Sequence, residues 1–194
     1  NATLSGDIDL TGGTTTFKNA GGSGAKVNAK GGNLTFDTSV ASLGLLTLDT
    51  GSTLASSNGG SAETASLDWK GGQVQGKLKA TGNANISGND SKTIGATGEL
   101  TVTSTTNPIS GGAIANQGKF NKEGAGSTEV TAQFDSTNSL NVTGGTLKLS
   151  GQGKSSSAVT VATGAKLEVA NTYGFENATL SGDIDLTGGT TTFK

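Results

Sequence analysis

Hydrophobic positions along this chain come in short alternating groups. In L-S-G-D-I-D-L the apolar members are Leu4, Ile8 and Leu10, and Val27 leads on to Leu34 and Phe36 in G-G-N-L-T-F-D. Leu46 and Leu48, Leu67 and Trp69, Leu100 and Val102, Leu140 and Val142, Leu147 and Leu149, Val159 and Val161, and Leu167 and Val169 repeat the rhythm, with Thr, Ser, Asp, Asn, Glu or Lys between. Period-two alternation predicts strands with one face buried, and the polar partners suit a wetted opposite face. The strands are short, about three to five residues, and recur roughly every ten residues. Eight G-G pairs separate them, at 12, 21, 31, 59, 71, 111, 144 and 188. Glycine takes positive φ without a Cβ clash and so serves tight corners. No window carries a sustained i, i+3, i+4, i+7 apolar face, which predicts almost no helix. Pro108, in T-N-P-I-S, belongs at a corner or strand start.

Two all-β architectures fit this rhythm. One is a right-handed parallel β-helix, a solenoid of about 20–25 residues per coil. The other is a tandem array of β-sandwich domains. A sandwich of the immunoglobulin type relies on aromatic anchors such as a core Trp and a corner Tyr, whereas this chain has one Trp and one Tyr in 194 residues. The β-helix is therefore the expectation.

The eighteen residues N-A-T-L-S-G-D-I-D-L-T-G-G-T-T-T-F-K occur twice without a substitution, at 1–18 and at 177–194. The offset of 176 residues predicts a tandem array, with 1–176 as one unit and 177–194 as the start of the next. An overlapping window on such an array, or ends copied so that one molecule pairs with the next, are the alternatives. Each makes the chain part of something longer, as does the absence of Met. A 176-residue unit would hold roughly seven to nine coils and rise on the order of 35–45 Å. Unpaired strand edges at the ends of a solenoid template further chain unless capped. The repeated segment contains no evident cap, so the junction residues are expected to be Asn1, Leu4, Ile8, Leu10 and Phe17 at one end. Their counterparts are Asn177, Leu180, Ile184, Leu186 and Phe193.

Composition narrows the function. Cys, Met, His and Arg are all missing. Lack of the two readily oxidised side chains suits an oxidising exterior, and lack of Cys removes disulfides and thiolate metal sites. With a net charge of −2 and 14% charged residues, the chain offers no attraction to nucleic acid or to an anionic membrane. No apolar run approaches the ~18 residues of a membrane span.

Candidate chemistry is sparse. Asp7 and Asp9, and their copies Asp183 and Asp185, alternate on one strand face at about 7 Å, a spacing that suits paired carboxylates in glycoside hydrolysis. A solvated outer face with Ile8 and Leu10 inward explains them as well, and duplication suits a scaffold better. The G-G-S-G-A-K stretch at 21–26 has Lys where the calcium-binding nonapeptide needs Asp, which leaves Asp7, Asp9 or Asn89-Asp90 as weak cation candidates. Thr14–Thr16 and T-V-T-S-T-T at 101–106 would be water-ordering ladders only if every coil repeated them. Trp69 and Tyr173 are the candidates for an exposed sugar platform, against the commoner use of such aromatics as core plugs. Six N-x-[ST] sequons arise readily in a chain this rich in Asn, Ser and Thr. No catalytic, cofactor or metal residue is assigned.

The stretches A-S-L-D-W-K-G-G-Q-V-Q-G (65–76), N-I-S-G (85–88) and P-I-S-G-G-A-I-A-N-Q-G-K-F-N-K-E-G-A-G-S-T (108–128) share a style with S-L-N-V-T-G-G-T-L-K-L-S-G (139–151) and V-A-T-G-A-K-L-E-V (161–169). Together they resemble the β-strand-repeat passengers of large secreted bacterial surface proteins, including autotransporter and filamentous-haemagglutinin-like adhesins. The resemblance implies a right-handed parallel β-helix, export and an extracellular role, and carries over no active site. The expectation is a structural, non-enzymatic repeat of a fibre, sheath, biofilm matrix or surface protein, whose partners are copies of itself. An adhesin module that holds surface glycans is the alternative.

Overall fold

Short alternating segments can bury an apolar face only by stacking on segments like themselves. A computed structural model, which describes residues 2–18, 20–22, 24–39, 43–105 and 107–194, shows that they do so. It is an all-β parallel solenoid of about nine turns, and no helix occurs among the described residues. Each coil has three sides. The first side is represented by Lys77–Ile86 in its leading half, Glu99–Ser104, Lys119–Lys122, Leu140–Val142 and Val159–Val161. The second includes Asp7–Leu10, Lys26–Ala29, Leu43–Leu48, Ser127–Val130, Thr146–Leu149 and Lys166–Val169. The third includes Thr14–Lys18, Gly32–Ser39, Lys92–Ile94, Ile114–Asn116, Phe134–Ser136 and Tyr173–Phe175.

Register makes the stacking explicit. On the second side the inward row runs Leu10, Ala29, Leu48, Trp69, Ile86, then Ile109, Val130, Leu149, Val169 and Leu186. The step from Ile86 to Ile109 is carried by the Ser110 N–H, which donates to the Ile86 carbonyl at 2.9 Å. Leu10 and Leu186 are thus nine coils apart, about 43 Å at the usual strand spacing. Coils vary in length: Ser66 pairs with Asn83, Asp7 with Lys26, Lys77 with Glu99, offsets of 17, 19 and 22 residues. The expected 20–25 residues per coil therefore shifts to about 20, with single coils as short as 17.

Two segments depart furthest from the expected short strands. Ser52–Trp69 is one continuous extended run of 18 residues, and Lys77–Ile86 one of 10. Neither is straight. The first pairs on the third side through Thr53 and Leu54, on the first through Ser61–Thr64 and on the second through Ser66–Trp69. Asn58 and Gly59, at φ 49° and 75°, turn one of its corners. Corners elsewhere demand glycine. At Gly111, with φ +92°, an added Cβ would lie 1.9 Å from the Gly88 carbonyl oxygen, so no L side chain fits. Pro108 is exposed just before Ile109, whose bridge to Val130 is the strand contact there.

The core is the solenoid lumen. Leu34, Leu54, Val74 and Ile94 stack on the third side, and Leu78, Leu100, Phe120, Leu140 and Val159 on the first, all buried. Above Ile94 the third-side row turns polar, with Asn116, Ser136 and Ser155, and then aromatic, with Phe175 and Phe193. Asn116 Nδ2 donates to Ser136 Oγ and to the Ser139 carbonyl, each at 2.9 Å, while Ser155 Oγ and the Tyr173 hydroxyl lie 2.9 Å apart. These bonds satisfy groups that would otherwise be costly to bury, although Asn116 Oδ1 itself has no partner among the described residues.

Burial pushes the Tyr173 phenol above its ordinary value of 10. Above pH 10 the unfolded chain releases this proton and the native state keeps it, so stability is lost as pH rises from there. Tyr173→Phe removes that loss. The urea midpoints of the two proteins are expected to fall apart less steeply with pH below 10 than above it, and parallel curves across both ranges would refute this.

Candidate functional site

Both copies of the repeated segment form the same three-sided tier, one at each end of the solenoid. Leu4, Ile8 and Leu10 pack partly buried against the core at one end, as do Leu180 and Ile184 at the other. Phe17 is almost covered, whereas its copy Phe193 is 59% exposed and Leu186 is 50% exposed. The difference is positional: each tier is paired on one side only, and the two tiers are paired on opposite sides.

The first tier is covered by the coil that follows it. Ile8 pairs with Val27, Leu10 with Ala29, Thr15 with Leu34 and Phe17 with Phe36. The two Phe rings stack at 5.5 Å and 22°. Asp9 accepts hydrogen bonds from Asn28 Nδ2 and Lys30 Nζ, both 2.8 Å. Lys26 lies 3.8 Å from Asp7, and Lys18 3.9 Å from Asp37.

The last tier sits on the coil that precedes it. Ile184 pairs with Leu167, Leu186 with Val169, and Phe193 with Phe175, the rings 5.5 Å apart at 17°. Lys166 Nζ donates to Asp185 at 2.8 Å, and Lys194 lies 3.9 Å from Glu176. Asn177, at φ 55°, turns into the tier and its N–H donates to the Lys194 carbonyl at 2.8 Å. Asn1 lies outside the described residues. The expected junction residues are therefore gathered into two end surfaces, apart from Asn1.

The carboxylate pairs face outward with Ile8 and Leu10 turned to the core. Hydrogen bonds from Lys30 and then Asn28 hold the Asp9 carboxyl below its ordinary value, and the bond to Asp185 raises the Lys166 ammonium. Asp90 accepts a hydrogen bond from Thr50, and its carbonyl accepts one from Lys92 Nζ at 3.0 Å. Among the described residues no group of three or more His, Cys, Asp or Glu side chains could hold a metal ion. Thr101 is buried rather than part of an exposed threonine ladder, and Thr106 lies outside the described residues.

The sugar-platform expectation is overturned. Trp69 and Tyr173 are 0% and 1% exposed. Trp69 alternates with Leu67 and Tyr173 with Phe175, so each falls on the inward face of its strand. Trp69 Nε1 donates to the Gly71 carbonyl at 2.8 Å. A shallow depression of about 230 Å³ on the first side is lined by Glu63, Lys79, Glu99 and Glu123, without an aromatic. Lys79 Nζ is bonded to Glu123 within it, at 2.8 Å.

Two lysines that sequence reading did not single out are inside. Lys92 and Lys122 are both 0% exposed. Lys122 stands between Val102 and Val142 in the first-side row, and its Nζ donates to the carbonyls of Glu123 (2.5 Å), Gly124 (2.9 Å) and Gly144 (3.2 Å). Lys92 Nζ donates likewise to Gly88 and Asp90. Period two would have found both, since K-F-N-K puts Lys122 on the face of Phe120 and K-T-I puts Lys92 on the face of Ile94. No protein-family model, curated protein or solved structure matches the chain.

Proposed function

We propose that this chain is a repeat of a long structural protein of the bacterial exterior, non-enzymatic, whose work is length, stiffness and cohesion. The single observation that carries the reading is that one 18-residue sequence makes the terminal tier at both ends of the solenoid, nine coils apart in equivalent register. A 176-residue period that returns to the same sides and register lets units follow one another along the solenoid without a change of register. Parallel ladders then run through the junction, and every end is covered by the next unit. Absence of Cys and Met supports an oxidising, extracellular setting. The burial of Trp69 and Tyr173 leaves a glycan-holding adhesin without the two aromatics singled out for it.

Electron microscopy and fibre diffraction of the native assembly test this. The expected result is a filament with ~4.8 Å coil stacking and an axial repeat of about 43 Å. A discrete particle with capped ends would refute the structural role.

A further inference from the structure

We infer that the free edge of the last tier is a docking surface for one occupant, the second coil of the unit that follows, where the last tier takes the place of that unit's own residues 1–18, so that each junction contains a single repeated tier. This rests on the proposed role as a structural repeat and specifies how its units join.

The repeated tier has two faces, and the chain shows a partner for each. Its following face is seen at the first tier, where Asn28, Lys30 and Phe36 meet Asp9 and Phe17. Its preceding face is seen at the last tier, where Lys166, Phe175 and Glu176 meet Asp185, Phe193 and Lys194. The two sets of contacts are compatible on one tier. The carboxylate of the shared aspartate takes Asn28 on Oδ1 and Lys30 on Oδ2 from one side, and Lys166 on Oδ2 from the other. A carboxylate has enough lone pairs for all three. The shared phenylalanine would stack between Phe175 and Phe36, and the shared lysine would stand between Glu176 and Asp37, at the 3.9 Å separations each half already shows. Hydrophobic, aromatic and ionic rows all continue.

The alternative join, end on end between two 194-residue chains, puts the tier on itself. Asp183 would then lie over Asp7, Asp185 over Asp9 and Lys194 over Lys18, in register at ~4.8 Å. Like charges directly opposed across a ladder are destabilising. The free edge therefore accepts the coil of residues 20–39 and rejects its own copy.

Two tandem chains separate these joins. In one, residues 1–194 are followed directly by 19–194, so the tier occurs once at the junction. In the other, 1–194 is followed by 1–194, so it occurs twice in succession. Amide hydrogen exchange at Ile184–Leu186 and Thr191–Phe193 of the first unit reads the junction, and the coils of either unit report that the chain is folded. Exchange in the single-tier chain is expected to be slower than in the 194-residue chain by about 100-fold or more, with the doubled-tier chain remaining close to the 194-residue chain. Equal protection in both tandem chains would overturn the single-tier junction and leave the structural-repeat role standing. No added protection in either would overturn the docking surface itself. The structural-repeat role fails separately, if the native assembly is a capped particle.

Discussion

Replacing Trp69 with alanine is expected to cost about 4 kcal/mol, the range for emptying a fully buried indole site. Trp69 stands in the inward second-side row between Leu48 and Ile86, wholly shielded from solvent. Those neighbours cannot close the space, because ladder pairing fixes the spacing of the strands that carry them. The substitution also strips the Gly71 carbonyl of its bond from Nε1, at a corner where Gly71 and Lys70 donate backbone N–H groups to the Leu48 carbonyl. Coils in a solenoid hold one another through nearest neighbours, so the damage should concentrate in the coils of Leu48, Trp69 and Ile86. Urea unfolding followed by far-ultraviolet circular dichroism measures the loss, since the chain has no second Trp to report by fluorescence. A change below about 1 kcal/mol would mean that the indole is not the plug its burial makes it. Trp69→Phe should recover most of the loss, because the ring volume matters more here than the single hydrogen bond.

Much of this fold is legible in the sequence, because a solenoid is held by a pattern rather than by particular long-range pairs. Leu67, Leu100, Leu140 and Val169 are inward wherever alternation says so. Repetition of 1–18 at 177–194 likewise announces that the last tier must be the first again. Where the reading failed, a residue's ordinary habit was set above its place in the alternation. Trp69 and Tyr173 stand as candidates for a sugar platform beside the commoner use of such aromatics as core plugs, and the alternation of W with L and Y with F decides for the core. Lys92 and Lys122 escaped notice because lysine is rarely buried. The long run Ser52–Trp69 has a different reason: S-N-G-G at 57–60 marks its first corner, whereas the second, between Thr64 and Ser66, is made within extended chain and carries no turn residue. The end-surface chemistry was half visible. Apolar junction residues could be named, whereas the partners Lys30, Lys166, Glu176 and Asp37 depend on a register that only the folded coils supply.

Lys122→Ala is expected to cost about 3 kcal/mol, through a cavity between Val102 and Val142 and through the carbonyls left behind. The carbonyls of Glu123, Gly124 and Gly144 all accept from the lysine head. Lys122→Met refills the cavity with a stem of similar length and leaves the carbonyls bare. The difference between the two variants therefore separates packing from polar capping. A pH series then isolates the charge. Burial lowers the Lys122 ammonium from its ordinary value of 10.5, the neighbouring Glu123 carboxylate opposing it, and burial lowers Lys92 in the same way. Between the lowered folded value and 10.5 the unfolded chain binds more protons than the native one, so native stability rises with pH across that window. Lys122→Met abolishes its share of the rise and leaves that of Lys92. Urea midpoints taken from about pH 7 to 9.5, below the range where Tyr173 acts, should climb more steeply for the parent chain than for the Met variant. Parallel curves would mean that the carbonyls around Nζ stabilise the ammonium as well as water does. The lumen at that corner would then be a good solvent for a cation rather than a poor one.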